Sequence, residues 1–142
     1  DCRYGLSKGI GEALSQYFAD NYGLGILSIR IGWCFEKSDT PRTLGSWVSI
    51  GDLMQLCRLG LEMHELHHEI VYGVSNNSRT WWDNKTARRL GYAPQDSSDQ
   101  WIAEVEAGAP EPGNEVALAV QGGPFASTGY EGDPKRVTEQ KS

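Results

Sequence analysis

Apolar residues recur every three to four positions near the start of the chain, a spacing that predicts a helix over residues 5–21. The residues that set this period are Leu6, Ile10, Leu14, Tyr17 and Phe18. Gly23 follows the last of them, and a glycine at that place commonly ends a helix. The first element is therefore an amphipathic helix.

Strand and helix patterns alternate along the next part of the chain, which predicts an α/β architecture. The elements are, in order, a buried strand over 25–32, a polar loop over 36–43, a short extended segment over 47–50, a helix over 52–62 capped by Asp52, a strand over 69–74, and helices over 84–90 and 98–106. Two or three strands are too few for a free-standing parallel sheet. We therefore expect the remainder of the sheet to lie in sequence outside this chain.

The composition changes at Gly108, after which the chain is rich in glycine, proline and polar residues. Such a segment buries too little apolar surface to fold by itself. The pattern predicts a folded region over 1–107 and an extended tail over 108–142. The opening Asp-Cys-Arg-Tyr lacks both a Met and an apolar signal segment, so we expect the chain to be a fragment.

Charge and composition exclude several function classes. The net charge of −6 leaves no basic face for a phosphate backbone, so nucleic acid is not an expected partner. No apolar run approaches the ~20 residues that span a membrane. Cys2, Cys34 and Cys57 are an odd number of widely spaced thiols, which favours reduced cysteines and a cytoplasmic location over disulfides.

Gly5, Gly9 and Gly11 have a spacing that resembles the phosphate-binding turn of dinucleotide enzymes. That turn requires a buried strand directly before it, and only four residues precede Gly5. No acidic residue ends the next strand to hold a ribose, and Arg30 lies within that strand instead. The pattern therefore favours close packing of a helix over phosphate binding.

His64, Glu65 and His68 form an H-E-x-x-H sequence, which on one helix holds zinc with the glutamate as a base. Here the sequence lies between a predicted helix and a predicted strand, where two histidines do not share a helical face. No third ligand is evident. We interpret it as a polar connector and predict no metal.

Tyr4 and Lys8 lie four residues apart, so on a helix their side chains project from one face. A free phenol titrates near pH ~10, and a nearby ammonium stabilises its phenolate. A lysine in this place also reaches the ribose hydroxyls of a nicotinamide cofactor. The pair is suited to removing a hydroxyl proton while hydride leaves the same carbon. An exposed helix pair without function remains the alternative from spacing alone.

The segments that follow resemble the second half of extended short-chain dehydrogenases, the NAD-dependent epimerase/dehydratase family, and within it the uronate dehydrogenases. The similar segments are Y-G-L-S-K at 4–8, R-I-G-W-C at 30–34, S-W-V-S-I-G-D-L at 46–53, V-Y-G-V-S-N-N-S-R-T-W-W-D-N at 71–84, L-G-Y-A-P-Q-D-S-S at 90–98 and the terminal Q-G-G-P-F. The W-W-D-N segment is the most specific, because general epimerases do not usually contain it.

The resemblance implies the C-terminal part of a Rossmann-type fold, without the dinucleotide-binding N-terminal half. It implies oxidation of the anomeric carbon of a hexuronate to an aldarolactone, with NAD as cofactor. Tyr4 is then the base, and Lys8 binds the nicotinamide ribose. Ile31 borders the cofactor. A dimer is an expectation by analogy.

The resemblance also implies three substrate-binding residues. Arg42 matches the family's substrate-binding arginine, and a guanidinium binds a carboxylate through two parallel hydrogen bonds. Phe125 matches an aromatic residue that closes the pocket. Trp33 departs from the family, which commonly has a small hydroxyl residue there; the indole either narrows the pocket, stacks on a sugar or indicates another substrate.

Two alternative functions stay open at this stage. One is a nucleotide-sugar epimerase or dehydratase, and the other is an inert truncated fragment. Trp81 and Trp82 we interpret as structural, because paired aromatics beside a helix start usually pack.

Overall fold

The computed structural model of the chain describes residues 2–108 and 114–139. These residues form two compact units, one of residues 15–108 and the other of residues 2–14 with 114–139. The division predicted at residues 107 and 108 stays a prediction about domain organisation. We describe each unit by itself.

The larger unit is built on two parallel strands, β1 (Ile26–Ile31) and β2 (His68–Gly73). The register pairs Ile26 with His68 and Ile31 with Gly73. Parallel strands need a long crossover, which here contains two helices, α2 (Pro41–Ser46) and α3 (Ile50–Glu62). The predicted α/β architecture and both predicted strands are confirmed.

The core of this unit lies between the sheet, α3 and α4 (Lys85–Arg89). Leu56, Val71, Ala87 and Tyr92 are its buried members. Partly buried aliphatic side chains surround them, namely Leu27, Ile29, Leu59 and Leu90. Removing these side chains from water supplies the main driving force for the packing of helices on the sheet.

Ser49, not Asp52, caps helix α3, so the predicted capping role of Asp52 is wrong. The Ser49 side chain accepts a hydrogen bond from the Asp52 backbone N–H. Asp52 is 2% exposed, and its carboxylate accepts bonds from the Ser75 hydroxyl at 2.5 Å and from the backbone N–H groups of Gln95 at 2.8 Å and Asp96 at 3.2 Å. These bonds satisfy a buried charge and join α3 to two later segments.

Helix α2 occupies the end of the predicted polar loop. Thr40 and Thr43 form a reciprocal capping box, and Pro41 is the first helical residue, where its missing N–H costs nothing. The extended segment predicted after it includes Trp47, which pairs with Trp33 in an isolated bridge. A 3-10 turn (Ser98–Trp101) and helix α5 (Ile102–Ala107) complete this unit.

Helix α1 (Arg3–Tyr22) confirms the helix predicted over 5–21. Within the larger unit its last turns are joined to the start of β2, because His67 Nε2 lies 2.7 Å from Asp20 Oδ1 and His68 Nδ1 lies 2.8 Å from Gln16 Oε1. Of the helix residues only Ala19 is buried, and the five apolar residues that set the predicted helical period are exposed.

The smaller unit contains three short helices, α6 (Glu115–Ala119), α7 (Pro124–Ser127) and α8 (Lys135–Thr138), where the sequence predicted an extended tail. Local signals start them: Asn114 caps α6 with its side chain, and Pro124 opens α7. Val116 and Ala126 are buried, so this part of the tail has a small apolar centre.

Among the described helices, none combines the length and hydropathy needed to cross a bilayer. All three cysteines are free thiols, as the spacing predicted.

The Asp52 network generates a stability prediction. Asp52→Ala leaves the buried Ser75 hydroxyl and two partly buried backbone N–H groups without their acceptor, and we expect it to lower the free energy of unfolding by about 3 kcal/mol in urea denaturation. Asp52→Asn keeps one side-chain oxygen and should lose less. The control, Asp83→Ala, removes an exposed carboxylate paired with Lys85 and should leave the midpoint nearly unchanged. Equal losses in Asp52→Ala and the control would contradict the network's role.

Candidate active site

Tyr4 and Lys8 meet on the first turns of α1. The Lys8 Nζ atom lies 5.0 Å from the centroid of the Tyr4 ring, because side chains four residues apart share a helical face. The Tyr4 side chain is 62% exposed. The structure therefore brings the predicted base together with the predicted ribose-binding cation at an accessible surface.

Phe125 lies against Tyr4 within the smaller unit. The two ring centroids are 6.0 Å apart with the planes at 28°, a stacked pair. Gly123 directs the chain into α7 with a φ of 54°, which a glycine adopts without strain, and Pro124 then starts the helix. The tail residue predicted to close the pocket thus contacts the predicted base.

Ile31 is the last residue of β1 and is 55% exposed. The chain continues the sheet for one more bond, from Gly32 N–H to the Gly73 carbonyl at 3.0 Å. A Cβ on Gly32 would collide with the Ser46 carbonyl oxygen, so only glycine fits this approach. Ile31 therefore stands where the strand ends and the segment carrying Trp33 begins.

Trp33 is held by its backbone and by its indole. Its N–H donates to the Ser46 carbonyl at 2.7 Å, its carbonyl accepts from Val48 N–H at 3.0 Å, and the indole N–H donates to the Lys37 carbonyl at 3.1 Å. The ring packs on Phe35 with 4.2 Å between centroids. The single indole donor is therefore engaged by main chain, and Trp33 presents an apolar ring at the position where the resemblance implies a small hydroxyl residue.

Arg42 is half-buried on α2, one residue after the proline that starts the helix. Its guanidinium carbon lies 5.8 Å from the centroid of the Trp81 ring, a cation–π distance. Gly45 is three residues further on and so shares the face of α2 that carries Arg42. A Cβ at Gly45 would collide with the Trp81 ring, which means that Trp81 packs directly on the helix backbone.

The six predicted residues fall into two groups. Tyr4, Lys8 and Phe125 belong to the smaller unit, whereas Ile31, Trp33 and Arg42 belong to the larger one. The first group is a contacting cluster. In the second, Ile31 and Trp33 are neighbours along one segment, and Arg42 lies on the helix that follows. Their roles as site residues stay predictions.

The glycine pattern at Gly5, Gly9 and Gly11 lies inside α1, so it provides no turn for a phosphate. A Cβ at Gly9 or Gly11 would meet nothing within 4 Å, and close packing against a neighbour is likewise not found among the described residues.

The H-E-x-x-H sequence does not lie on a helix. His64 is in a turn after α3, and His68 is the first residue of β2. His67 and His68 contact Asp20 and Gln16 instead. No cluster of three or more metal-ligating side chains occurs in the part of the chain that the structure describes.

A small open cleft lies beyond the end of β2 and contains none of the predicted site residues. Its polar lining is used for structure: Asn77 donates to the Trp47 carbonyl, Asn84 bonds both backbone groups of Tyr72, and the Tyr92 hydroxyl donates to the Val74 carbonyl. Burial raises the pKa of Tyr92 well above its usual value, so this phenol is not a base. The cleft is a structural feature.

Sequence reasoning missed the contact between Trp81 and Arg42. The two residues are far apart along the chain, and a W-W pair beside a helix start gives no signal of a cationic partner. Gly45 was a weak signal, since a glycine within a short helix often marks a close approach.

No protein-family model matches the chain. A uronate dehydrogenase from Pseudomonas syringae pv. tomato is 41% identical over 133 residues, which cover 94% of this chain and 48% of the relative. The solved structure of glucuronic acid dehydrogenase from Chromohalobacter salexigens is 39% identical with a TM-score of 0.80, over 93% of this chain and 49% of that one. A uronate dehydrogenase variant from Agrobacterium tumefaciens, solved in complex with NAD, is 31% identical with a TM-score of 0.81, over 89% and 48%.

The chain thus spans about half the length of the curated relatives it matches, 48% of the first. The predicted resemblance to uronate dehydrogenases is confirmed. The structural similarity also confirms the predicted fold class, a partial Rossmann-like α/β fold with a small parallel sheet.

The close packing of Trp81 on Gly45 predicts different changes in the free energy of unfolding when two helix glycines are replaced by alanine. Gly45→Ala forces the Trp81 ring away from α2 and should lower the free energy of unfolding by about 1–3 kcal/mol. Gly51→Ala in α3 meets only ordinary contacts beyond 3.4 Å and should be neutral or stabilising by up to about 1 kcal/mol. Urea denaturation measures both, and a Gly45→Ala chain as stable as Gly51→Ala would contradict the assigned packing.

Proposed function

We propose, from the similarity of this chain to about half of several uronate dehydrogenases, that it carries the proton-transfer and substrate-binding residues of an NAD-dependent dehydrogenase acting on a hexuronate. The observation that carries the proposal is the contact of Tyr4 with Lys8 in a chain with this similarity. The complete reaction is proposed for a protein that also contains the part of the relatives that this chain does not match.

Tyr4 acts as the base in the proposed reaction. Its phenolate takes the proton of the anomeric hydroxyl as the hydrogen on the same carbon departs as hydride, and the carbon–oxygen single bond becomes the carbonyl of a lactone. The Lys8 ammonium lies beside the phenol, with its Nζ atom 5.0 Å from the ring centroid. Phe125, stacked on Tyr4, shields one side of the phenol from water.

NAD, when bound, supplies the hydride acceptor. In the smaller unit, Tyr4 and Lys8 would hold its nicotinamide end, since Lys8 offers three donors for ribose hydroxyls. In the larger unit, the family resemblance alone assigns Ile31, an exposed apolar side chain, to the border of the cofactor. The glycines within α1 would not hold its pyrophosphate, because they lie inside a helix. The chain's groups therefore fit one end of the cofactor.

Arg42 recognises the sugar carboxylate in the proposed complex. A guanidinium forms two parallel charge-assisted hydrogen bonds with a carboxylate, which discriminates a uronate from the neutral sugar. Trp33 contributes an apolar ring, since its only donor is engaged by the Lys37 carbonyl.

By analogy with the family, we also propose a cytoplasmic location and self-association.

The proposed function is tested on a joined protein, in which this chain is fused to the part of the Pseudomonas syringae relative that it does not match. We expect NADH to form with glucuronate or galacturonate and not with glucose. Binding of NAD without NADH formation from any hexuronate would contradict the substrate assignment. A nucleotide sugar retained during purification would favour the epimerase or dehydratase alternative. Calorimetry of this chain alone with NAD tests the inert-fragment alternative, which saturable binding contradicts.

Tyr4→Phe removes the proposed base and keeps the ring. We expect kcat of the joined protein to fall by about 10²- to 10⁴-fold, while circular dichroism and NAD binding persist. The matched control is Tyr17→Phe, which removes the hydroxyl of another exposed tyrosine on the same helix and should leave kcat unchanged. A kcat for Tyr4→Phe close to that of the control would remove Tyr4 from the mechanism.

Arg42→Ala removes the proposed carboxylate partner. We expect KM for glucuronate to rise by roughly 10- to 100-fold, from the loss of a charged hydrogen-bonded contact. Arg42→Lys keeps the charge without the fork and should give an intermediate value. The control Arg58→Ala removes an exposed arginine paired with Glu62 on α3 and should leave KM unchanged. Unchanged KM in Arg42→Ala would assign carboxylate binding elsewhere.

A further inference from the structure

Three aromatic rings connect two arginines across the larger unit, and we name Trp81, Trp82 and Tyr72 the aromatic ladder. The centroids of Trp81 and Trp82 are 5.3 Å apart, and those of Trp82 and Tyr72 are 4.8 Å apart with nearly parallel planes. Arg42 lies over the Trp81 end at 5.8 Å, and Arg30 lies over the Tyr72 end at 5.6 Å. Each step is within the distance at which such pairs attract.

The Tyr72 end of the ladder is fixed to the sheet. Tyr72 belongs to β2 and is the register partner of Arg30 on β1, whose Nη1 donates to the Tyr72 hydroxyl at 3.2 Å. The Asn84 side chain bonds the backbone N–H of Tyr72 at 3.1 Å and its carbonyl at 2.7 Å. Because Asn84 closely follows the two tryptophans in the chain, these bonds hold the W-W segment beside the strand.

The Trp81 end of the ladder lies on α2. Its ring occupies the space that a Cβ on Gly45 would take, and the Arg42 guanidinium lies over the same ring. Arg42 and Gly45 are one turn apart, so both contacts fall on one face of the helix. The ring is thereby confined between a backbone surface and a cation.

We propose that Trp81 is a positioning residue that orients the Arg42 guanidinium for a carboxylated sugar; this rests on the proposed function. A ring contacts the flat face of a guanidinium and makes no use of the N–H groups at its edge, which are the groups that bind a carboxylate in pairs. A side chain already held in its binding orientation loses less freedom on binding. The sheet thus fixes the direction of Arg42 through the ladder.

The first measurement reads the contact itself. In the isotope-labelled chain, the Trp81 ring should shift the NMR signals of the Arg42 δ-methylene protons, and Trp81→Leu should abolish that shift. Trp81→Phe keeps a ring and should retain part of it. Identical Arg42 signals in the unsubstituted chain and Trp81→Leu overturn the proposal without touching the proposed function.

The second measurement is the affinity of the joined protein for glucuronate, with glucose as the uncharged control. We expect Trp81→Leu to weaken glucuronate binding by about two- to five-fold, the factor of an exposed cation–π contact, and to leave any glucose binding unchanged. Trp81→Phe should restore most of the affinity. Equal losses for both sugars indicate a merely structural role and overturn the proposal.

Two further variants separate the possible failures. Trp101→Phe alters a ring that packs on Trp47 at 4.9 Å and belongs to no contact of the ladder, so it should not change the ratio of the two affinities. If Trp101→Phe changes that ratio as much as Trp81→Leu does, the positioning role of Trp81 is contradicted. If Arg42→Ala binds glucuronate as tightly as the unsubstituted protein, the proposed function is contradicted, and with it the positioning role of Trp81. If Arg42→Ala loses affinity but Trp81→Leu does not, only the positioning role of Trp81 is contradicted.

Discussion

The parallel pairing of β1 with β2 is the constraint on which the larger unit depends. Because both strands run in the same direction, their carboxyl ends lie at one edge of the sheet, and the segments that leave them are neighbours. One of these segments carries Trp33, and the other leads to Ser75, which bonds the buried Asp52. Trp47 joins the two, because its backbone pairs with Trp33 and its carbonyl accepts from the Ser75 N–H. Ile31 and Trp33 are placed by that edge.

The regular elements followed from local patterns, which is why the sequence predicted them. The spacing of apolar residues in α1 and the apolar run of β1 are short-range signals. Helix α2 was missed because its apolar content is small and its start depends on a capping box of two threonines within a polar stretch. The tail helices were missed for a related reason, since glycine and proline dominate their composition although Asn114 and Pro124 start two of them.

The candidate site was predictable to different depths. The contact of Tyr4 with Lys8 follows from helical spacing, so the spacing of the two residues was sufficient to predict it. The stacking of Phe125 on Tyr4 joins residues from opposite ends of the chain, so no local pattern encodes it, and the family resemblance indicated only that Phe125 closes the pocket. The direction of the Trp33 indole N–H, the ligands of Asp52 and the packing of Trp81 on Gly45 all depend on tertiary contacts that no local pattern encodes. Residue identity revealed the available chemistry, and the fold decided which groups were already engaged.

The missing side chain of Gly45 ties two distant positions into one steric unit. The Trp81 ring and the Arg79 carbonyl oxygen both occupy the space that a Cβ would need, so a larger residue at position 45 requires a smaller residue at position 81 together with a shift of the backbone at Arg79. Homologous sequences that exchange size between these positions would conserve their combined volume while altering the surface under Arg42. Combinatorial libraries aimed at new sugar specificity should therefore vary positions 45 and 81 jointly, because changing either alone samples mostly misfitting pairs.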